Sequence, residues 1–174
     1  WKYWANNQAN YQANWQTVAY NDAAWPSAAT ELGYGDGDEA TCIPSGGGGS
    51  ACAPTGNKWA AYYFRKTVNI ANPLTFPNFT FNVERDDGFV LYINGVEYQR
   101  NNMPVGAVTY ATAASAAIED AVITFTVPNT AFVPGNNVIA VEIHQSPVAG
   151  APNATSTSSD ISFNLQLTST TTVS

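Results

Sequence analysis

Apolar and polar residues alternate along this chain at a period of two, repeatedly, and almost nowhere at the period of a helix. That pattern constrains the fold more than any other feature, because successive side chains of a strand point to opposite faces. In NFTFNVERD, Phe79, Phe81 and Val83 point one way, and Thr80, Asn82 and Glu84 the other. AVITFTV sends Ile123, Phe125 and Val127 inward, and NNVIAVEIHQ sends Ile139, Val141 and Ile143. DISFNLQL does the same with Ile161, Phe163, Leu165 and Leu167, while AAYYFRKTVNI is apolar along its first half. Turn signals separate the runs: NPLTFPN, DDG, NG, VPG and the long SPVAGAPNATSTSSD. Many strands at this spacing predict an all-β fold, an antiparallel β-sandwich or barrel.

FVLYINGVEYQ is the sharpest local signal. Asn94-Gly95 fills the two central positions of a type I′ turn, where both residues need positive φ. A two-residue loop fixes the register, so Ile93 faces Val96, Tyr92 faces Glu97 and Leu91 faces Tyr98. Leu91, Ile93, Val96 and Tyr98 are then expected on the core face, with Val90, Tyr92, Glu97 and Gln99 on the outer one.

The chain has 174 residues, enough for one domain with a sizeable core. We assign residues 1–168 to a single β-sandwich domain and the Ser/Thr-rich 169–174 to a tail or linker. The first forty residues, with Trp4, Tyr11, Trp15 and Trp25 at irregular spacing, are expected to wrap one end of the sandwich. The opening WKYWANNQ has neither Met nor an apolar signal core, and reads as a processed or excised segment.

Charged residues are only 11% of the chain and the formal charge is −7, with six Lys and Arg in all. No basic stripe exists to displace counterions, which argues against nucleic acid, and an anionic membrane surface would repel the chain. No apolar run approaches the length of a transmembrane helix. Cys42 and Cys52 flank IPSGGGGSA, a loop flexible enough to bring its ends together. A disulfide there would contribute about 2–3 kcal/mol and place the protein outside the reducing cytosol. The alternative is a pair of free buried thiols. Asn78 and Asn153 stand in Asn-x-Thr triplets compatible with glycosylation.

VERDDG poses the functional question. Asp tolerates turns and bonds nearby amides, and Gly88 offers freedom in φ, so a structural corner is the leading reading. A ligand or metal role for one of the two acids is the alternative. Catalysis ranks last, because a glycosidase pair needs carboxyls about 5–10 Å apart facing one substrate, whereas adjacent residues usually diverge. If the strand ending at Arg85 runs antiparallel to the one beginning at Ile161, then Asp86, Asp87 and Asp160 share one edge. The strand carrying His144 and Gln145 ends there too. Such a cluster is either a self-satisfied network or a sugar-binding lip, with Arg85, Asp86, Asp87, Tyr92, His144 and Asp160 as candidate ligand residues. His144, the single histidine, is placed to meet Glu142 on its own strand face. Asp36, Asp38 and Glu39 in GYGDGDEAT offer oxygen ligands at close spacing and are the candidate seat for calcium, although no EF-hand pattern is present. Tyr92, by register, is the aromatic residue expected outward to stack on a sugar, with Trp59 and Tyr34 as further candidates.

The succession YNDAAWPSAATELGYGDGDEAT, YYFRKTVNI, VERDDGFVLYINGVEYQRNNMPVGAVTYATAA, NNVIAVEIHQ and SSDISFNLQL resembles an accessory module of the galactose-binding-like jelly-roll class. The resemblance covers nearly the whole chain. It implies a non-catalytic β-sandwich, often with a structural calcium, appended to large secreted or surface proteins. It implies carbohydrate binding at class level only, since fold does not fix function. Ala23 and Ala24 stand where small hydroxyl residues are common in such modules, and the Cys-flanked glycine loop looks like an insertion. The resulting expectation is an extracellular or cell-surface module that binds a polysaccharide or mediates adhesion, not an enzyme. The alternative is a structural subunit or spacer of an extracellular filament, self-associating through sheet edges.

Overall fold

A computed structural model describes residues 1–7, 12–150 and 154–170. Asn153 and the end of the tail lie outside the described residues. In chain order the strands are β1 (Lys2–Ala5), β2 (Leu32–Tyr34), β3 (Thr41–Cys42), β4 (Gly48–Gly49), β5 (Pro54–Thr55), β6 (Lys58–Trp59), β7 (Ala61–Ile70) and β8 (Asn78–Arg85). They continue with β9 (Gly88–Ile93), β10 (Val96–Asn101), β11 (Ala121–Pro128), β12 (Gly135–His144), β13 (Val148–Ala149), β14 (Thr155–Ser156) and β15 (Ile161–Thr168).

Two five-stranded sheets form the expected jelly-roll sandwich, one ordered β1-β7-β12-β9-β10 and the other β11-β8-β15-β2-β3. All their pairings are antiparallel except β2 with β3, which is parallel. The alternation read from the sequence sets the core directly. Phe79, Phe81, Val83, Ile139, Val141, Ile143, Ile161 and Phe163 meet between the sheets, with Tyr62, Phe64, Phe89, Leu91 and Ile93. Phe64 stacks on Phe163 at a centroid distance of 4.1 Å. The Cys42–Cys52 disulfide is formed, tying β3 to the glycine loop.

The hairpin turn is as anticipated, with φ of 52° at Asn94 and 88° at Gly95. Its register holds for two pairs, Val96 with Ile93 and Glu97 with Tyr92, and then departs from expectation. A β-bulge between Glu97 and Gln99 places Gln99, not Tyr98, opposite Leu91. Val96, assigned to the core, is 59% exposed. The bulge absorbs one residue and rotates the edge strand β10 away from a strict core alternation.

A larger departure concerns the N-terminal segment, which does more than wrap one end. Residues 12–25 lie across the outer face of the first sheet and build a second core there. Trp15 and Trp25 pack with Tyr63, Val138, Ala140, Tyr110 and Ala154. Arg65, 2% exposed, holds this strap down. Its Nε donates to Asp22 Oδ2 at 2.9 Å, and its Nη1 donates to the carbonyls of Thr17, at 3.1 Å, and Trp15. Both faces of the first sheet are therefore covered, whereas the described residues leave the outer face of β11, β8 and β15 in the second sheet open.

Candidate functional site

β8 and β15 pair antiparallel with Phe163 opposite Arg85. The acidic corner foreseen from the sequence follows: Asp86, Asp87 and Asp160 come to one end of the sandwich. They are 1%, 1% and 6% exposed.

The two adjacent aspartates do different jobs. Asp87 is architecture. Its Oδ1 accepts from the Ile118 amide and its Oδ2 from the Ser146 amide, each at 2.7 Å. Its own carbonyl accepts from Asn102 Nδ2 at 3.0 Å. It thus clamps the long 102–120 loop and the segment after β12 onto the end of β8. Gly88 is needed for close approach, not for unusual φ. A Cβ there would sit 2.8 Å from the Asn102 carbonyl oxygen and 2.8 Å from Met103 Sδ.

Asp86 is the opposite case. Its backbone amide donates to the Ser162 carbonyl at 3.2 Å, but neither carboxylate oxygen has a hydrogen-bond partner. One of them instead belongs to a group with one oxygen each of Glu119 and Asp160, all within 4.8 Å of one another. Asp160 is held by Ser159 Oγ, 3.1 Å from both of its carboxylate oxygens, and its carbonyl accepts from Gln145 Nε2 at 2.7 Å. Gln145 Oε1 is also buried without a partner. Burial, and then the neighbouring Asp87 and Asp160 carboxylates, push Asp86 up to about 9. Glu119 is raised chiefly by Asp160. Asp86, without a donor and facing two further carboxylates, can be reconciled with them by a shared proton or by a cation.

The triad fits a hard divalent cation. All its donors are oxygens, and oxygens across a calcium ion with bonds of 2.3–2.6 Å lie roughly 4.6–5.2 Å apart. The acidic loop named from the sequence does not form such a cluster. Glu39 folds back, so that Oε1 accepts from the Asp36 amide at 3.0 Å and Oε2 from the Gly37 amide at 3.1 Å. Asp36 Oδ2 accepts from Ser162 Oγ at 3.1 Å, and Asp38 is exposed. Among the described residues, the single group of three carboxylates gathered within ligand distance is Asp86, Glu119 and Asp160. The candidate cation seat therefore moves from 36–39 to the corner.

Other anticipated site residues separate. Arg85 is 2% exposed, and its Nη2 donates to Asn101 Oδ1 at 2.8 Å, while Nε and Nη1 have no partner. His144 does not join the corner. Gln145 points into it, and by strand alternation His144 turns to the outer face of the first sheet. There Nδ1 lies 2.8 Å from the Thr112 carbonyl oxygen, to which it donates. Nε2 lies 3.1 Å from Glu142 Oε2, as the shared strand face suggested, though off-line for a hydrogen bond. Tyr92 is not an outward platform. Trp15 covers it edge-on at 5.8 Å and its hydroxyl donates to Glu142 at 2.6 Å. Tyr34 is fully buried with its hydroxyl 2.8 Å from that of Tyr62, and Trp59 is half-buried against Gly46. Asn78 is exposed at the start of β8.

The open face of the second sheet carries the remaining polar constellation. Asn82, Glu84, Val122, Asn164 and Gln166 line a depression of about 380 Å³ across β11, β8 and β15. Asn82 Nδ2 donates to Gln166 Oε1 at 3.2 Å, and Thr124 Oγ1 donates to Asn82 Oδ1 at 2.7 Å. The polar phases of these strands were visible in the sequence, but the face they compose was not singled out.

No family profile matches the chain, and no curated protein matches it. Solved structures do. A β-glucuronidase from glycoside hydrolase family 2 superposes with a TM-score of 0.50 at 20% identity, over 83% of this chain and 13% of that one. Bacteroides uniformis β-glucuronidase superposes with a TM-score of 0.53 at 14% identity, over 97% of this chain and 17% of that one. A calcium-binding mutant of Bacteroides uniformis β-glucuronidase 2 gives a TM-score of 0.50 at 12% identity over 94% of this chain. The chain spans less than a fifth of each of these enzymes. What it shares with them is a β-sandwich fold.

Proposed function

We propose that the chain is a non-catalytic carbohydrate-binding module that takes its glycan on the open face of the second sheet. The observation that carries this reading is the amide-lined depression formed by Asn82, Asn164 and Gln166, with Glu84 beside them. An amide both donates and accepts, as a sugar hydroxyl does, so a row of amides can pair a neutral glycan without ionic help. Val122, 57% exposed, offers an apolar contact to the C–H face of a ring. The bonds among Asn82, Gln166 and Thr124 hold the row in place before a ligand arrives. A larger groove of about 490 Å³ lies at the opposite end from the acidic corner, lined by Val68, Ile70, Phe76, Phe79 and Leu167 among others. Its mainly apolar walls suit sugar hydroxyls poorly.

The absence of a catalytic assignment rests on the corner's geometry. Asp86 and Asp87 are sealed from solvent and their carboxylates face different partners, so no glycosidic bond can reach both. The similar solved structures act on carbohydrates, and this chain corresponds to a small part of them. The Cys42–Cys52 disulfide supports a location in an oxidising compartment, such as the cell exterior.

The test is retention on a panel of immobilised polysaccharides, neutral and uronate-containing. The wild-type chain is expected to bind at least one, and Asn82→Ala with Gln166→Ala to weaken that binding at least about tenfold, the worth of one good hydrogen bond. The melting temperature should stay unchanged. A folded wild-type chain retained on nothing, or a double variant binding as well as wild type, refutes the reading.

A further inference from the structure

We propose that Asp86, Asp160 and Glu119 form the seat of a divalent cation of the calcium class, which staples three separate segments at one end of the sandwich. This inference is independent of the glycan face. Two observations carry it. The three side chains bring one carboxylate oxygen each to within 4.8 Å of the others. Asp86, 1% exposed, presents both carboxylate oxygens without any donor, and a bound cation would satisfy them.

The surroundings suit a cation and little else. Asp87, the nearest further carboxylate, already has an amide on each oxygen and is not needed as a ligand. Arg85, the guanidinium next in sequence, bonds Asn101 and forms no ion pair with Asp86. The buried Gln145 Oε1, also lacking a partner, is a further neutral oxygen at this end. Three carboxylates against one divalent ion leave a single negative charge, a smaller burden than three facing anions.

Chemistry narrows the ion. The donors are all hard oxygens, which disfavours zinc, and the one histidine bonds elsewhere. Magnesium keeps several waters and demands near-octahedral geometry, whereas Asp86 and Asp160 are shut away from bulk water. Calcium accepts irregular all-oxygen shells.

The segments joined explain what the ion would do. Asp86 ends β8, Asp160 precedes β15, and Glu119 closes the 102–120 loop just before β11. Ile118, beside Glu119, is already tied to Asp87 through its amide. A cation would add a second tie from the same loop to the same corner, and link both to the 157–160 segment.

The experiment is calorimetric titration of the chelator-stripped chain with calcium chloride and, separately, magnesium chloride, with melting curves in each. One calcium is expected to bind with a Kd below about 1 mM, at least about tenfold tighter than magnesium, and to raise the melting temperature. Glu119→Gln, on an exposed residue, should weaken calcium at least about tenfold, and Asp86→Asn should abolish binding. Asp36→Asn with Asp38→Asn should bind as wild type. No heat and no melting shift for wild type at about 5 mM calcium overturns the proposal. So does wild-type affinity in Glu119→Gln, or loss of binding in the Asp36/Asp38 variant with Glu119→Gln unaffected.

Discussion

Arg65 is the residue on which the covering of the first sheet depends. Replacing it with alanine removes an ion pair to Asp22 at 2.9 Å, a bond to the Thr17 carbonyl at 3.1 Å, the bond to the Trp15 carbonyl, and a guanidinium 5.3 Å over the Tyr20 ring. Breaking a buried charge pair costs about 3–5 kcal/mol. Asp22 is 22% exposed and retains Lys2 at 2.7 Å, so its stranded charge is partly solvated and the lower end applies. We expect a loss of about 3 kcal/mol, a large share of the 5–15 kcal/mol that a domain usually has. With a urea slope of about 2.5 kcal/mol per M for a chain of this size, the unfolding midpoint falls by about 1.2 M. Arg65→Met keeps the apolar stem and should lose less, which separates pairing from packing. Urea titration followed by tryptophan fluorescence and near-ultraviolet circular dichroism reads both the midpoint and the packing of Trp15 and Trp25. A midpoint shift below about 0.3 M in Arg65→Ala, with an unchanged near-ultraviolet spectrum, would refute the role of Arg65 in holding the strap.

Reducing the Cys42–Cys52 bridge, which closes a separation of 10 residues, should cost about 2–3 kcal/mol in urea unfolding with and without reductant. Gly35→Ala should destabilise by at least about 2 kcal/mol in the same assay, because φ there is +113° and the new methyl would lie 2.6 Å from Asp160 Cβ. Stability of the cation-free chain should fall as pH rises from about 4 to about 7. Burial, against the pull of Ser162 and with added repulsion from nearby acids, raises Glu31 to about 7 and Asp36 to about 6, from ordinary values of 4.5 and 3.8. A carboxyl with a raised folded-state pKa holds more protons folded than unfolded across that window, so the slope is negative. Denaturation at several pH values checks this, and Glu31→Gln should flatten the slope.

Much of this architecture was legible in the chain, and the failures have physical reasons. Period-two alternation in β8, β11, β12 and β15 identified the core residues, since each of these strands packs one face against the opposite sheet. The Asn94-Gly95 turn was equally plain, yet nothing in VEYQRN announced the bulge between Glu97 and Gln99 or the exposure of Val96 beside the turn. The second core was invisible because Trp15 and Trp25 lie in turns, where spacing carries no period. The antiparallel pairing of β8 with β15 placed Asp86, Asp87 and Asp160 together correctly. Their division of labour depended on which backbone amides came within reach, a property of the 102–120 loop. Glu119 comes from that loop, which has no repeat to register it against β8, so no local signal marked it as a partner of Asp86. The parting of His144 from Gln145 follows from alternation alone, since neighbours on a strand face opposite ways.

The glycan face is tested most directly by side-chain amide signals in a ¹⁵N-labelled sample titrated with a polysaccharide fragment the chain retains. The account predicts that the NH₂ resonances of Asn82, Asn164 and Gln166 move first and furthest, with the signals around Trp15 and Trp25 still. Shifts that leave those three amides unmoved and gather instead around Trp59 and Tyr110, or in the apolar groove by Phe76, would contradict it.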